Sequence, residues 1–405
     1  MKKTAHMIHC SASGIFLLLA TACTTTNVIN ANSTPAIQAQ EGISQELLLD
    51  IGIIPFDPGI PGNIEEIEEG FIVPDVRRAE SGYIAYHLKD TLELTGNWGA
   101  VRVVPNPSES VDIHVTGDIL LSDGEQLKVQ VVATDSTGST WLNRRYEDTA
   151  SKLSYQSARE DPFQDLYNDI ANDILLKRQQ HTANEIINIR QVSSLKFARS
   201  LSPDAFGEYL TENKSRIQIS QLPSEDNAML ERVDLIKERE HYFIDTMDDY
   251  YGRFYQEMRD SYDEWRLVSY EEAILYRELK SQANKRILGG LGAAAAGVYA
   301  GSQSKTWAQS AAASGIVVGG IAGVRSGLER KKDAEIHEES LRELGQSLGG
   351  EIRPHVLNIE GKTIELTGTA TSQFEQWRGI LKEIYTEETG GTVESNSGSV
   401  NDSSP

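Results

Sequence analysis

Cysteine is almost missing from this chain: 405 residues hold two, Cys10 and Cys23. That excludes a multi-disulfide scaffold and a cysteine-rich metal site. Histidine is sparse and scattered. Beyond the amino-terminal stretch, His87, His114, His181, His241, His337 and His355 stand alone, without metal-ligand spacing. No glycine-rich phosphate loop follows a strand pattern, and no Gly-x-Ser-x-Gly elbow occurs. Basic residues are the minority, 38 against 60 acidic ones, for a net charge of −22. Such a chain repels nucleic acid and anionic lipid surfaces at long range. No apolar run reaches the roughly 18–20 residues of a confident membrane span. Asp248-Asp249 and Glu271-Glu272 read as solvated helix faces, and Glu65–Glu69 as a solvated acidic loop. Nothing supports nucleophilic or acid–base catalysis, so no residue is assigned to catalysis, a cofactor or a metal.

What is present begins at the amino terminus. Lys2 and Lys3 precede an apolar run, Ile15 to Leu19, and then Ala20-Thr21-Ala22-Cys23. A basic start, a short apolar run and small residues make a secretory signal too short to span a membrane. With Cys at the junction, the stretch resembles a bacterial lipoprotein signal, with Ala20 where the lipobox usually has Leu. An ordinary secretory signal containing a Cys is the alternative. The resemblance implies cleavage of residues 1–22, acylation of Cys23, and Thr24 after the acylated Cys in place of the Asp that commonly retains lipoproteins at the inner membrane. The expected location is the outer membrane, lipid-anchored, on the periplasmic face. Loss of Lys2 and Lys3 would take the net charge to −24. Cys10 would go with the signal, leaving Cys23 as the lone cysteine, consumed by lipid. Residues 23–44, rich in Thr, Asn, Ala, Gln and Ser, read as a flexible tether.

Residues 45–150 read as a small α/β domain. The run from Leu47 to Ile54, stopped by Pro55 and Pro58, suits a buried strand. Pro74-Asp75 opens a helical pattern that Gly96-Asn97 stops. Strands follow at 100–104, 111–121, 126–134 and 140–146, with turn signals at 122–125 and 135–138. The order is β-α-β-β-β-β. Ile53-Ile54-Pro55-Phe56, Val115-Thr116-Gly117-Asp118-Ile119 and Asp135-Ser136-Thr137-Gly138-Ser139-Thr140-Trp141 carry a further resemblance. The pattern is similar to α/β modules of envelope lipoproteins: the curli-secretion-channel lipoprotein, the amino-terminal domain of the Tol-system propeller protein, and a lipoprotein activator of penicillin-binding proteins.

Residues 151–286 read as helical. Asp161-Pro162 is an N-cap and N1 pair, a short helix spans 205–210, and Ser224 is the expected N-cap of a long helix. In that helix Phe243, Met247, Tyr250, Phe254, Met258, Tyr262 and Trp265 keep a 3–4 spacing. The stripe is a seam inside the molecule or between molecules.

Residues 287–328 form two small-residue ridges. Gly289, Ala293, Gly297 and Gly301 recur every fourth residue, as do Ala311, Gly315, Gly319, Gly323 and Gly327. Each ridge lets a second helix approach closely. The runs 287–301 and 311–327 would cover roughly 22 and 25 Å, short for most bilayers. The stretch resembles the glycine-zipper hairpins of small outer-membrane lipoproteins; a tight soluble hairpin is the alternative. Residues 329–386 read as a small α+β cap, whose Ile364–Gly368 and Trp377 resemble half of a BON-type periplasmic module. Residues 387–405 read as a disordered tail.

The expected class is therefore α+β: a small mixed-sheet domain, then a mainly helical region with the zipper hairpin and a small carboxy-terminal piece. The expected function is a non-enzymatic scaffold or accessory subunit of an envelope assembly. Its partners would be membrane lipid, through Cys23 and the 287–328 hairpin, and an envelope protein or a second copy. An activator of a peptidoglycan synthase and a subunit of an outer-membrane secretion channel are the alternatives.

Overall fold

The computed structural model describes residues 34–299 and 355–389, except 70, 71, 157–159, 215, 225, 226, 360 and 361, together with Glu339, Arg342, Glu343 and Gln346. It is a mixed α and β fold of the expected class. The first elements are β1 (Ile51–Ile53), α1 (Ile64–Glu69), α2 (Pro74–Leu94), β2 (Val101–Val103), β3 (Ile113–Ser122), β4 (Gln126–Asp135) and β5 (Thr140–Thr149). They follow the β-α-β-β-β-β order of the sequence pattern. The sheet runs β2-β1-β3-β4-β5, with β1 parallel to both neighbours and β3 to β5 an antiparallel meander. Period-two alternation sets its faces. Ile113, Val115, Leu127, Val129 and Val131 are buried on the helix-covered side, whereas Thr116, Asp118, Lys128 and Gln130 lie on the other. The acidic stretch at 65–69 departs from the loop expected there: it is the short helix α1.

Two of the sequence patterns have direct structural causes. Asp135 accepts backbone N–H groups of Thr137 at 2.8 Å and Ser139 at 3.1 Å, and the Trp141 indole N–H at 2.6 Å. The acid thus closes its own turn and fixes the tryptophan beyond it. Gly117 faces the ring of Phe56; a Cβ there would lie 2.4 Å from Phe56 Cε2.

Residues 34–39 are not a loose tether. Thr34 and Ile37 donate backbone N–H groups to Asp165 and Asn172, both at 2.8 Å, and Ala39 donates to the Thr95 carbonyl at 2.8 Å. Two side-chain acceptors on one helix and a backbone carbonyl at the end of α2 order this segment where composition suggested freedom.

The helical region holds α3 (Gln164–Arg178), α4 (Ala183–Leu201), α5 (Pro203–Phe206) and α6 (Ala228–Tyr299). Thr182 and Glu185 form a capping box that starts α4. Three expectations shift. Asp161 does not cap α3; Phe163 occupies that position without a side-chain cap. Ser224 does not cap α6; the Asn227 side chain accepts the Met229 N–H at 3.0 Å. The region also contains an unforeseen hairpin, β6 (Leu210–Asn213) and β7 (Arg216–Ile219), anchored by the Ile217 N–H to the Thr137 carbonyl at 2.9 Å. Its four-residue strands are too short for a period to show.

The stripe on α6 is an internal seam. Phe254, Met258, Tyr262 and Trp265 pack with Val76, Ala79 and Tyr83 of α2. Phe243 and Met247 pack instead with the carboxy-terminal piece, β8 (His355–Ile359), β9 (Lys362–Leu366) and α7 (Ala370–Thr389). Phe374, Trp377 and Leu381 of α7 are buried there with Phe197 and Leu201 of α4. Each fully buried side chain of this size is worth roughly 1.5–3 kcal/mol, so the expected cap is fastened to the helices. Tyr250, a member of the expected stripe, is only partly buried, and its neighbour Tyr251 enters the sheet core. Helix α7 continues to Thr389, past the expected tail boundary at 387. The other tail residues lie outside the described residues.

Helix α6 is 72 residues long, about 108 Å of rod. Gly289, Ala293 and Gly297 lie on its final turns. Gly301, Ala311, Gly315, Gly319, Gly323 and Gly327, and so the zipper hairpin, lie outside the described residues, as does Cys23. Among the described residues no helix is long and apolar enough to cross a membrane.

Candidate functional site

The densest polar chemistry lies in the seam where α2, the start of α3 and α6 meet. Glu80 of α2 is fully buried. Its carboxylate pairs with Arg77 Nε at 3.0 Å and accepts from Ser122 Oγ at 2.6 Å and the Tyr262 hydroxyl at 2.8 Å. One carboxylate thereby ties α2 to the end of β3 and to α6.

A second knot lies beside it. The buried Arg266 guanidinium of α6 bonds both oxygens of Asp161, at 3.2 and 2.9 Å, and also pairs with Asp263. It stacks over the Tyr262 ring at 4.3 Å. Tyr83 donates to the same Asp161 at 3.3 Å. Burial alone would raise the Asp161 pKa. The Arg266 charge outweighs it, with help from His87 and the Phe163 N–H, and brings it to about 2. The fork-to-carboxylate geometry suits arginine and not lysine.

His87 extends the network. Its Nε2 donates to Gln164 Oε1 at 2.8 Å, and its Nδ1 lies 2.7 Å from the Tyr255 hydroxyl. Gln164 passes the chain on to Thr91 and Asn168 at 3.2 and 3.0 Å. At the other end of α2, Lys89 contacts Glu93 at 2.6 Å and Asp248 at 3.6 Å. Burial lowers its pKa, but the Glu93 hydrogen bond and the Asp248 charge more than reverse that and raise it. Asp248 also accepts the Val103 N–H at 2.7 Å, so a helix side chain covers the β2 edge of the sheet.

The seam is chemically a fastener. Its charges are paired, and the hydroxyls of Ser122, Tyr262 and Tyr83 are spent on carboxylates. A cleft lies elsewhere, a space of about 220 Å³ between α4, α6 and α7 bordered by Phe197, Ser200, Glu240, Arg378 and Lys382. That is below the 300–1,000 Å³ typical of small-molecule sites. Glu240 is buried and accepts from the Ser108 hydroxyl. Burial raises its pKa against the opposing Ser108 bond and Arg378 charge. His114 is half-buried on β3 with Nε2 2.8 Å from the Ser108 carbonyl, and burial lowers its pKa. Among the described residues, no group of three His, Cys, Asp or Glu side chains is placed to hold a metal ion.

Sequence named Asp161, Tyr262 and His87 without bringing them together, and it did not single out Arg77, Glu80 or Arg266. Arg77, Glu80 and Arg266 look like ordinary helix charges, and Asp161 like a cap. The available signal was position: Arg266 directly follows the Tyr262–Trp265 stripe, and Arg77 and Glu80 flank Ala79 at i,i+3 spacing. No protein-family model matches the chain, and no curated protein matches it either.

Proposed function

We propose that the chain is an outer-membrane-anchored periplasmic lipoprotein that acts as a non-enzymatic scaffold or accessory subunit of an envelope assembly. The observation that carries this reading is the continuity of α6. One helix is buttoned to the α/β body by the Arg266–Asp161 and Tyr262–Glu80 contacts, and to the hairpin tip by Arg277 with Asp123 and Glu125. The same helix runs on from residue 278 to Tyr299, roughly 33 Å, into the small-residue ridge at Gly289, Ala293 and Gly297. A body joined without a break to a helix-packing ridge is built to hold parts at a set distance. Acyl chains on Cys23 would supply one membrane attachment and the 287–328 hairpin a second, and two signals anchor more firmly than one.

The test is metabolic labelling with a fatty-acid analogue followed by membrane fractionation of the wild type and Cys23→Ala. The reading expects label on Cys23 and recovery in the outer-membrane fraction. Unlabelled, processed wild-type protein in the soluble fraction would overturn it. Gly315→Leu with Gly319→Leu tests the second attachment, which fails if oligomer size and detergent extraction are unchanged.

A further inference from the structure

The two edges of the main sheet are treated differently. On β2, Asp248 of α6 accepts the Val103 N–H. On β5, ten residues long, no backbone hydrogen bond reaches outward among the described residues. Ala150 donates to the Glu125 carbonyl, which fixes the phase of the ladder. N–H and C=O of Asn143, Arg145 and Glu147 therefore point away from β4. Thr149 has the same phase, and its N–H turns to the Asp148 carboxylate at 2.7 Å. Asn143, Arg144, Arg145 and Glu147 are all exposed.

We infer that β5 pairs antiparallel with β5 of a second copy of this chain, about a two-fold axis at Tyr146, joining two sheets into one of ten strands. The charge order selects this register. It sets Arg145 opposite Glu147 of the second copy on the open face, and Arg144 opposite Asp148 of the second copy on the helix-covered face. Antiparallel partners must share a face, so the neighbouring two-fold registers centre on Arg144, Arg145 or Glu147. Each of those sets a like charge against itself, which destabilises a cross-strand pair. Charges on an edge strand ordinarily keep other strands away. Here the order Arg-Arg-Tyr-Glu-Asp becomes complementary once the strand meets its own reverse.

The local partners are consistent with this. Arg145 makes no hydrogen bond or ion pair among the described residues, although it lies at the middle of the edge. Asp148 sits with Asp165 and Asp169, where burial and those neighbours raise its pKa, so a cation from outside is accommodated. Arg144 already holds Asp173 at 2.7 Å and Glu147 holds Lys128 at 2.7 Å; in each pair the β5 member is exposed and its partner half-buried, so the β5 charge can be shared. In this register Arg145 and Glu147 of the second copy exchange two backbone hydrogen bonds, and Asn143 lies opposite Thr149, whose N–H would have to leave the Asp148 carboxylate to complete the next pair. The inference goes beyond the proposed function and holds whether or not Cys23 carries lipid.

Disulfide trapping between two differently tagged full-length chains in detergent tests it. Asn143→Cys on one chain and Thr149→Cys on the other should cross-link on mild oxidation, because a hydrogen-bonded antiparallel pair has Cα atoms about 5.5 Å apart. Asn143→Cys with itself should not. Arg145→Glu added to both chains should lower the yield roughly tenfold, by turning two attractive pairs repulsive. Arg145→Glu with Glu147→Arg should restore it. So should mixing an Arg145→Glu chain with a Glu147→Arg chain, each deficient alone. Absence of the 143–149 cross-link, a yield indifferent to the single reversal, or a loss that neither the double reversal nor the mixture repairs would overturn the pairing. Because the cross-link reports register, chains held together elsewhere do not imitate it.

Discussion

The ring of Phe56 occupies the space that a side chain at position 117 would need. Gly117 lies mid-strand in β3, and its missing Cβ makes room for that ring as the chain after β1 runs on beside β3, the Asp57 N–H donating to the Gly117 carbonyl at 2.8 Å. The first strand and the third are therefore locked through one aromatic ring.

Gly117→Ala is accordingly expected to destabilise the protein by about 1–3 kcal/mol, the usual cost of overpacking a filled core. Chemical denaturation measures it. Phe56→Leu in the same chain should recover part of the loss, and additivity of the two changes would count against the contact.

Asp161→Asn should cost about 3–5 kcal/mol, since it removes the buried counter-charge of Arg266 and leaves it only the half-exposed Asp263. The pair also predicts a pH dependence. The folded-state pKa of Asp161, about 2, lies below its ordinary value of 3.8. The stabilisation is therefore present above pH 3.8 and disappears as pH falls towards 2, worth about 2 kcal/mol in all. Denaturation curves should show the wild type and the variant converging over that window; parallel curves would refute it.

Glu240 gives the opposite sign. Burial raises its pKa, so folding favours the protonated form, and stability falls as pH rises through the folded value. Glu240→Gln keeps an acceptor for Ser108. Its stability relative to wild type should improve from pH 4 to pH 7, as thermal unfolding at the two pH values would reveal.

Asp248→Ala should uncover the Val103 N–H and remove a partner of Lys89, at about 1–3 kcal/mol for the unsatisfied groups. Hydrogen exchange supplies the specific readout: the Val103 amide should lose protection, while the Ile113 amide, bonded to the Asp50 carbonyl, keeps it.

The legible parts of the fold were those with a period or a punctuation mark. Alternation gave β3 and β4, Gly-containing turns placed the hairpins, and the 3–4 stripe placed the long helix. The docking of those elements was not legible. Phe243 and Trp265 belong to one stripe, yet one faces α7 and the other α2, because a helix this long crosses more than one partner. The seam was hidden for a related reason. Glu80 and Arg266 have the composition of a wet helix surface, and only the neighbours brought from β3 and from the start of α3 make them interior. Asp161 shows it most plainly, since Asp-Pro reads as a cap by local rules and is instead held by an arginine 105 residues away.

The unbroken course of α6 also gears one part of the chain to another. A helix turns about 100° and advances 1.5 Å with each residue. Deleting one residue between Arg277, which grips the hairpin tip, and Gly289 would shorten the rod hardly at all but swing the ridge of Gly289, Ala293 and Gly297 through more than a quarter turn. Deleting seven would bring it nearly back into phase. The number of residues in that interval thus acts as an angular setting between the Arg277 grip and the ridge.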